Sequence, residues 1–301
     1  MSKPDHPHGS FTAFGIRAAA EPLAPGLHVV ATPIGNLRDI SLRALATLAA
    51  ADLILAEDTR VTKVLLAHYG ISTPLAAYHE HNANEMRPRV LARLAAGDRL
   101  ALVSDAGTPL VSDPGYRLVE DAVKAGHAVT GVPGPSAVLA ALVVAGLPTD
   151  RFFFEGFLAP RMAARRARLT ELGSIPATIV LFESPRRLAE MLADAAAMLG
   201  ARPAAVAREL TKMHETVRRG SLPELAALYA AGETARGEIV VLIGQAGAGA
   251  ASPATEDLVD GKLKAALAAM SLKEAVAQVT ADTGLPRRKV YARALELTRA
   301  P

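Results

Sequence analysis

Leu100-Ala101-Leu102-Val103-Ser104-Asp105-Ala106-Gly107-Thr108-Pro109, followed shortly by Asp113-Pro114-Gly115-Tyr116, decides how this chain folds. Four consecutive apolar residues read as a strand buried on both faces. The Gly/Pro loop turns the chain. Asp113 as cap and Pro114 in the first turn then predict a helix over 114–124, closed by Gly126. The unit recurs on both sides. Residues 27–31 read as a strand before the loop Thr32-Pro33-Ile34-Gly35-Asn36, with a helix over 40–50. Further strands are expected at 53–56, 75–78 and 128–132, and helices at 63–68, 85–96 and 136–144. Such alternation implies a mostly parallel sheet with helices packed on it. Ligands in such sheets sit beyond the carboxyl ends of the strands. Three Gly/Pro loops, 32–36, 104–109 and 133–136, fall there, so a small-molecule site is expected on them.

Outward from this domain, Pro148-Thr149-Asp150 marks a boundary. The N-terminal α/β domain is read as 27–147 and a second α/β domain as 148–245, with strands near 178–182, 204–207 and 239–243. Residues 246–261, rich in Gly and Ala, read as a linker. Residues 262–301 read as a helical, helix-turn-helix-like module. Its capping box is Ser271-Leu272-Lys273-Glu274, and its last helix carries Arg287, Arg288, Lys289 and Arg293. Residues 1–26 are expected to be a disordered tail.

Composition narrows the chemistry. Half of the 301 residues are hydrophobic, and there is no Cys. Disulfides, thiolate metal sites and a Cys nucleophile are thereby excluded, and a cytoplasmic home is expected. No secretory signal and no apolar run of about 18 residues is present, so no membrane association is expected. Phosphate-loop, dinucleotide-fingerprint, zinc-protease and serine-hydrolase motifs are all missing. His79-Glu80-His81 could pair on a metal, but no metal is expected. The net charge is only +3. The cations nevertheless cluster at Arg161, Arg165, Arg166 and Arg168, at Arg218 and Arg219, and at 287–289, which leans toward an anionic partner.

Several further motifs stand in order. They are Val30-Ala31-Thr32-Pro33-Ile34-Gly35-Asn36-Leu37, Ala56-Glu57-Asp58-Thr59-Arg60, Val132-Pro133-Gly134-Pro135-Ser136, Glu155-Gly156-Phe157-Leu158, Phe182-Glu183-Ser184 and Ala207-Arg208-Glu209-Leu210-Thr211-Lys212. With the central loop, the chain resembles the ribosomal RNA small subunit methyltransferase I family. The resemblance implies a two-domain tetrapyrrole-methylase-like (class III methyltransferase) α/β fold with a small C-terminal helical module. It implies a homodimer, and S-adenosylmethionine held in the cleft between the domains. The reaction it implies is 2′-O-methylation of a cytidine ribose in the decoding region of 16S RNA in the small ribosomal subunit. By motif position, Ile34, Ser104, Asp105, Thr108, Ser136, Ala137, Phe182 and Leu210 would touch the cofactor. Phe157-Leu158-Ala159-Pro160 departs from the family's Phe-Leu-Pro. The catalytic base is unassigned; Asp58, His81, Glu209 and Glu215 are its candidates. Arg60, Arg161, Arg165, Arg166, Lys212, Arg287, Arg288 and Lys289 are the candidate RNA contacts. Two other readings stand beside this one: a precorrin-type tetrapyrrole methylase of the same fold, and a non-enzymatic ribosome-associated RNA-binding protein.

Overall fold

The computed structural model describes residues 9–110, 115–233, 236–245, 253–283, 285 and 287–299. The chain divides into two compact units, residues 1–141 with 209–215, and residues 142–208 with 216–301.

The first unit holds a five-stranded sheet in which every pairing is parallel. Its strands are β3 (Gly26–Val30), β4 (Leu53–Ala56), β5 (Leu75–Ala77), β6 (Arg99–Val103) and β7 (Val129–Val132), in spatial order β5-β4-β6-β3-β7. The apolar runs have the reason parallel sheets require, since both faces are covered. On one face Val30, Ile54, Ala101 and Val103 pack with α1 (Leu42–Ala50) and α2 (Thr59–His68). On the other, Leu27, Leu55, Leu100 and Leu102 pack with α3 (Ala83–Ala95) and α4 (Tyr116–Lys124). Ser41 caps α1 by accepting from the Ala44 amide, and Asp58 caps α2 by accepting from Arg60. The expected cap at Asp113 and Pro114 lies outside the described residues; α4 begins at Tyr116 after Gly115.

The expected tail is corrected at 10–19. There β1 (Ser10–Ala13) and β2 (Ile16–Ala19) form an antiparallel hairpin. Phe11 and Ala20 join the core beside α1, and the Thr12 amide donates to the Tyr69 carbonyl. The alternation was too short to register as a strand, and Phe14-Gly15 is its turn.

The second unit has a mixed sheet, β11-β10-β12-β9-β8, where only β8 and β9 run parallel. The strands are β8 (Phe152–Phe157), β9 (Thr178–Glu183), β10 (Pro203–Arg208), β11 (Thr216–Ser221) and β12 (Ile239–Ile243). Helix α5 (Ala137–Ala145) connects into it. Helices α6 (Met162–Leu172), α7 (Leu188–Leu199) and α8 (Leu222–Ala230) cover its core. Three helices follow: α9 (Pro253–Ala269), α10 (Leu272–Thr283) and α11 (Arg287–Arg299), with their own core of Leu263, Val276, Val279 and Val290. Helix α9 begins inside the stretch read as linker, so 253–261 is corrected to helix. The apolar positions of α9 have few neighbours in sequence to reveal their period, and they pack against α10 and α11. The capping box ahead of α10 forms as read: Ser271 and Glu274 bond each other's amides at 3.1 and 3.4 Å. Among the described residues no helix is long and apolar enough to cross a membrane.

Leu100 is fully buried on the central strand β6. Leu100→Ala should therefore cost about 2–5 kcal/mol in urea unfolding. A loss below about 1 kcal/mol would contradict the two-faced burial.

Candidate active site

The three Gly/Pro loops follow β6, β3 and β7, which are neighbours in the sheet. Hydrogen bonds from backbone and side chains fuse them. The Thr32 amide donates to the Gly107 carbonyl at 2.8 Å, and the Gly107 amide returns a bond to Thr32 at 3.0 Å. The Thr32 hydroxyl donates to the Ser104 carbonyl at 3.2 Å, and the Thr108 hydroxyl to the Pro135 carbonyl at 3.2 Å. Gly107 has φ +83°, and a Cβ there would lie 3.3 Å from Ile34 Cγ2. Glycine is what lets the central loop lie against the first.

The segment 209–215 belongs to this same unit. Glu209 and Thr211 both have positive φ, 51° and 67°. Such strained backbone clusters at functional sites and persists only when its surroundings fix it. Here Lys212 Nζ bonds Glu209 Oε1 at 2.9 Å, and the Thr211 amide donates to Glu215 Oε2 at 2.7 Å. The Lys212 stem covers Gly35, where a Cβ would come within 2.5 Å of Lys212 Cγ. Ile34, Ser104 and Leu210 are buried, Thr108, Ser136 and Ala137 half-buried, and Asp105 exposed. All seven lie in the first unit. Phe182 stands on β9 in the second, edge-on to Phe154 and Phe157.

The candidate bases are largely committed elsewhere. Asp58 binds Arg60 at 2.6 Å, and its side chain also accepts from the Arg60 amide. These bonds hold its carboxyl down to about 2. The Asp58 amide donates to Asp105 Oδ1 at 2.9 Å, tying β4's loop to the central one. Glu209 and Glu215 hold the strained segment. His81 is exposed, its ring edge-on to His79.

The basic residues separate into two groups. Arg165 is corrected as an RNA contact: it is 2% exposed and bonds Asp194 Oδ2 at 2.6 Å through Nε. Arg166 takes the other oxygen of Asp194 at 2.6 Å, and Arg168 is bound by Glu155 and Glu171. Helical spacing turned these arginines toward α7 and β8, which sequence clustering alone does not show. Arg219 closes the end of α5 through the Val144 and Ala145 carbonyls. By contrast Arg60, Arg161, Arg287, Arg288 and Lys289 are exposed.

Comparison with known proteins adds to this geometry. The family model described as Tetrapyrrole (Corrin/Porphyrin) Methylases matches residues 26–226, and that described as the RsmI C-terminal HTH domain matches 252–298. A ribosomal RNA small subunit methyltransferase I of Mesorhizobium japonicum is 53% identical over 279 residues, covering 92% of this chain and 94% of its own. The chain belongs to the ribosomal RNA small subunit methyltransferase I family. A Pseudomonas aeruginosa member is 47% identical over 276 residues, covering 90% of this chain and 96% of its own. Among solved structures, diphthine synthase matches at TM-score 0.57 and 17% identity over 72% of this chain and 89% of its own. Uroporphyrin-III-C-methyltransferase from Thermus thermophilus matches at 0.51 and 20%, over 73% and 94%. At such identities these two show the fold alone. As a family member the chain is a methyltransferase whose methyl donor is S-adenosylmethionine. The fused loops suit that donor. Close-packed glycine backbone admits a flat adenosine, Ile34 and Leu210 offer apolar wall, and Asp105 and Thr108 offer polar groups at the same strand ends.

Gly107→Val should weaken S-adenosylmethionine binding at least about tenfold in calorimetry, since φ +83° disfavours a β-branched residue and its side chain would press on Ile34. Unchanged affinity would dissociate the loops from the cofactor. Arg165→Ala should cost about 1.5–3 kcal/mol of stability by leaving the buried Asp194 with Arg166 as its remaining cation, whereas Arg161→Ala should leave the melting temperature unchanged; equal effects would contradict their separation. Asp58 should titrate near 2 by NMR. Its folded pKa is depressed, so its stabilisation is present above about 4 and is lost as pH falls toward 2. A midpoint near its ordinary value would break the Arg60 pairing.

Proposed function

We propose that this chain methylates the 2′-oxygen of a cytidine ribose in the decoding region of 16S RNA, acting on the small ribosomal subunit as a cytoplasmic homodimer. The observation that carries the reading is the fusion of three loops at adjacent strand ends in a chain that is 53% identical to a family member over nearly its whole length. The names of the relatives support ribosomal RNA as substrate. Ile34, Ser104, Asp105, Thr108, Ser136, Ala137 and Leu210 hold the donor, and Phe182 takes its assignment from its motif position.

When bound, the sulfonium supplies an activated methyl group that needs neither metal nor covalent enzyme intermediate. The remaining work falls to the chain. It aligns the hydroxyl oxygen with that methyl, and positioning of this kind can contribute about 7–11 kcal/mol. It must also let the hydroxyl proton leave, to solvent or to a base. Asp58, held at about 2, is a weak base at neutral pH. The exposure of Arg161, Arg287, Arg288 and Lys289 supports their role as contacts to RNA phosphates, with Arg60 and Lys212 as further cations near the loops.

Unmethylated small subunits incubated with the chain and methyl-labelled S-adenosylmethionine should gain label at one nucleotide. The adjoining phosphodiester should resist alkali, because a methylated 2′-oxygen cannot attack it. Label on a base, or none, would overturn the reading. Binding should fall about 10³–10⁵-fold between 50 and 200 mM salt if six or more phosphates are held.

A further inference from the structure

A second concavity opens at the carboxyl ends of β4 and β5, beside the fused loops, and none of the candidate site residues lines it. Its volume is about 740 Å³, within the roughly 300–1,000 Å³ of small-molecule pockets. Glu57, directly after β4, and Tyr78, directly after β5, form its floor. Glu80, Asn84 and Arg87 come from the turn into α3 and from its first turns; Tyr116 and Arg117 come from the start of α4. The pocket touches the fused loops at two points. Glu57 adjoins Asp58, whose amide bonds Asp105, and Leu110 lies two residues beyond Thr108. Leu110 has φ +73°, a left-handed conformation that a branched residue seldom adopts.

The lining is chemically selective. Arg87 Nη2 donates to Asn84 Oδ1 at 3.3 Å, which fixes the amide so that its NH₂ is the group left to donate. Arg87 is itself held by Asp121 at 3.2 Å. Glu80 is exposed and, as a carboxylate, only accepts. Tyr116 is 66% exposed, leaving its ring face available for stacking. Burial pushes the Tyr78 hydroxyl's pKa up, so it stays a neutral donor. A fixed amide donor, a carboxylate acceptor and an aromatic face match the edge of a base that carries an exocyclic amine beside a ring-nitrogen acceptor. Uracil reverses that pattern, with an oxygen where the amine would be and a hydrogen on the ring nitrogen.

We propose that this pocket receives the base of the methyl-accepting nucleotide, splayed out of its RNA stack, and reads its exocyclic amine through Glu80 and the adjoining ring nitrogen through the Asn84 NH₂. The inference rests on the proposed function and extends it by naming the residues that select the base. A flipped base read on its pairing edge and stacked on an aromatic ring is a general solution for enzymes that modify single nucleotides. Arg117, exposed on α4 at the pocket rim, is placed for a flanking phosphate.

The test compares subunits carrying the natural acceptor cytidine with subunits reconstituted with uridine at that position. The unaltered chain, Glu80→Gln and Asn84→Ala are each assayed for label transfer and, separately, for S-adenosylmethionine affinity. The unaltered chain should prefer cytidine by at least about tenfold, because a polar site rejects a base that leaves its groups unpaired. Both variants should narrow that ratio to about threefold or less while binding the cofactor as before. An unchanged ratio in both variants overturns the inference alone, as does a loss of cofactor affinity, which would give the pocket to the donor. No transfer by the unaltered chain overturns the proposed function and this inference with it.

Discussion

The reciprocal backbone pair between Thr32 and Gly107 is the contact on which the site depends. Each loop alone is a turn that leaves a strand. Joined, the loops become one floor across β6, β3 and β7, because their strands are adjacent in the sheet. The pair is possible only because residue 107 has no Cβ and can hold φ +83° against Ile34. Around it the Thr32 and Thr108 hydroxyls satisfy carbonyls of neighbouring loops. The floor is thus hydrogen-bonded together without a ligand, and a reaction that depends on alignment gains from such preorganisation.

Charge in this chain is sorted by burial. Arg165 and Asp194 are both nearly sealed from water and bond each other, with Arg166 on the second Asp194 oxygen, so their role is structural. Glu155 and Glu171 likewise hold Arg168. Among the clustered cations, Arg161 and the start of α11, where Arg287, Arg288 and Lys289 follow one another, are exposed. A modest net charge of +3 therefore understates the cation display available to an anionic partner. Asp58 shows the same sorting on a smaller scale: as cap, ion-pair partner and tether to Asp105 it is spent before chemistry begins.

Much of the first unit was legible because parallel strands buried on both faces write themselves as unbroken apolar runs, as in Leu100-Ala101-Leu102-Val103. The three loops were legible for the same reason: Gly and Pro punctuate the ends of those runs. The hairpin at Ser10–Ala13 and Ile16–Ala19 was not, since four-residue strands with an intermediate burial pattern carry little period. Helix α9 hid behind a Gly/Ala-rich lead and reveals its apolar face against α10 and α11. The fate of Arg165 was equally hidden. Arg165 and Arg166 look alike in sequence, and only the direction of α6 relative to α7 decides that the first is buried. The pocket beyond β4 and β5 draws Glu57, Asn84 and Tyr116 from separate segments, and the sequence brings them together nowhere.

The central claim is that the fused loops are where S-adenosylmethionine rests. Hydrogen–deuterium exchange with and without the cofactor tests it most directly, because the loop amides are themselves the reporters. The expected result is slowed exchange at 32–37, 104–110, 134–139 and 209–213, with α10 and α11 unchanged. Slowing confined to the terminal helices, or no slowing at the loops with the cofactor at saturation, would contradict it.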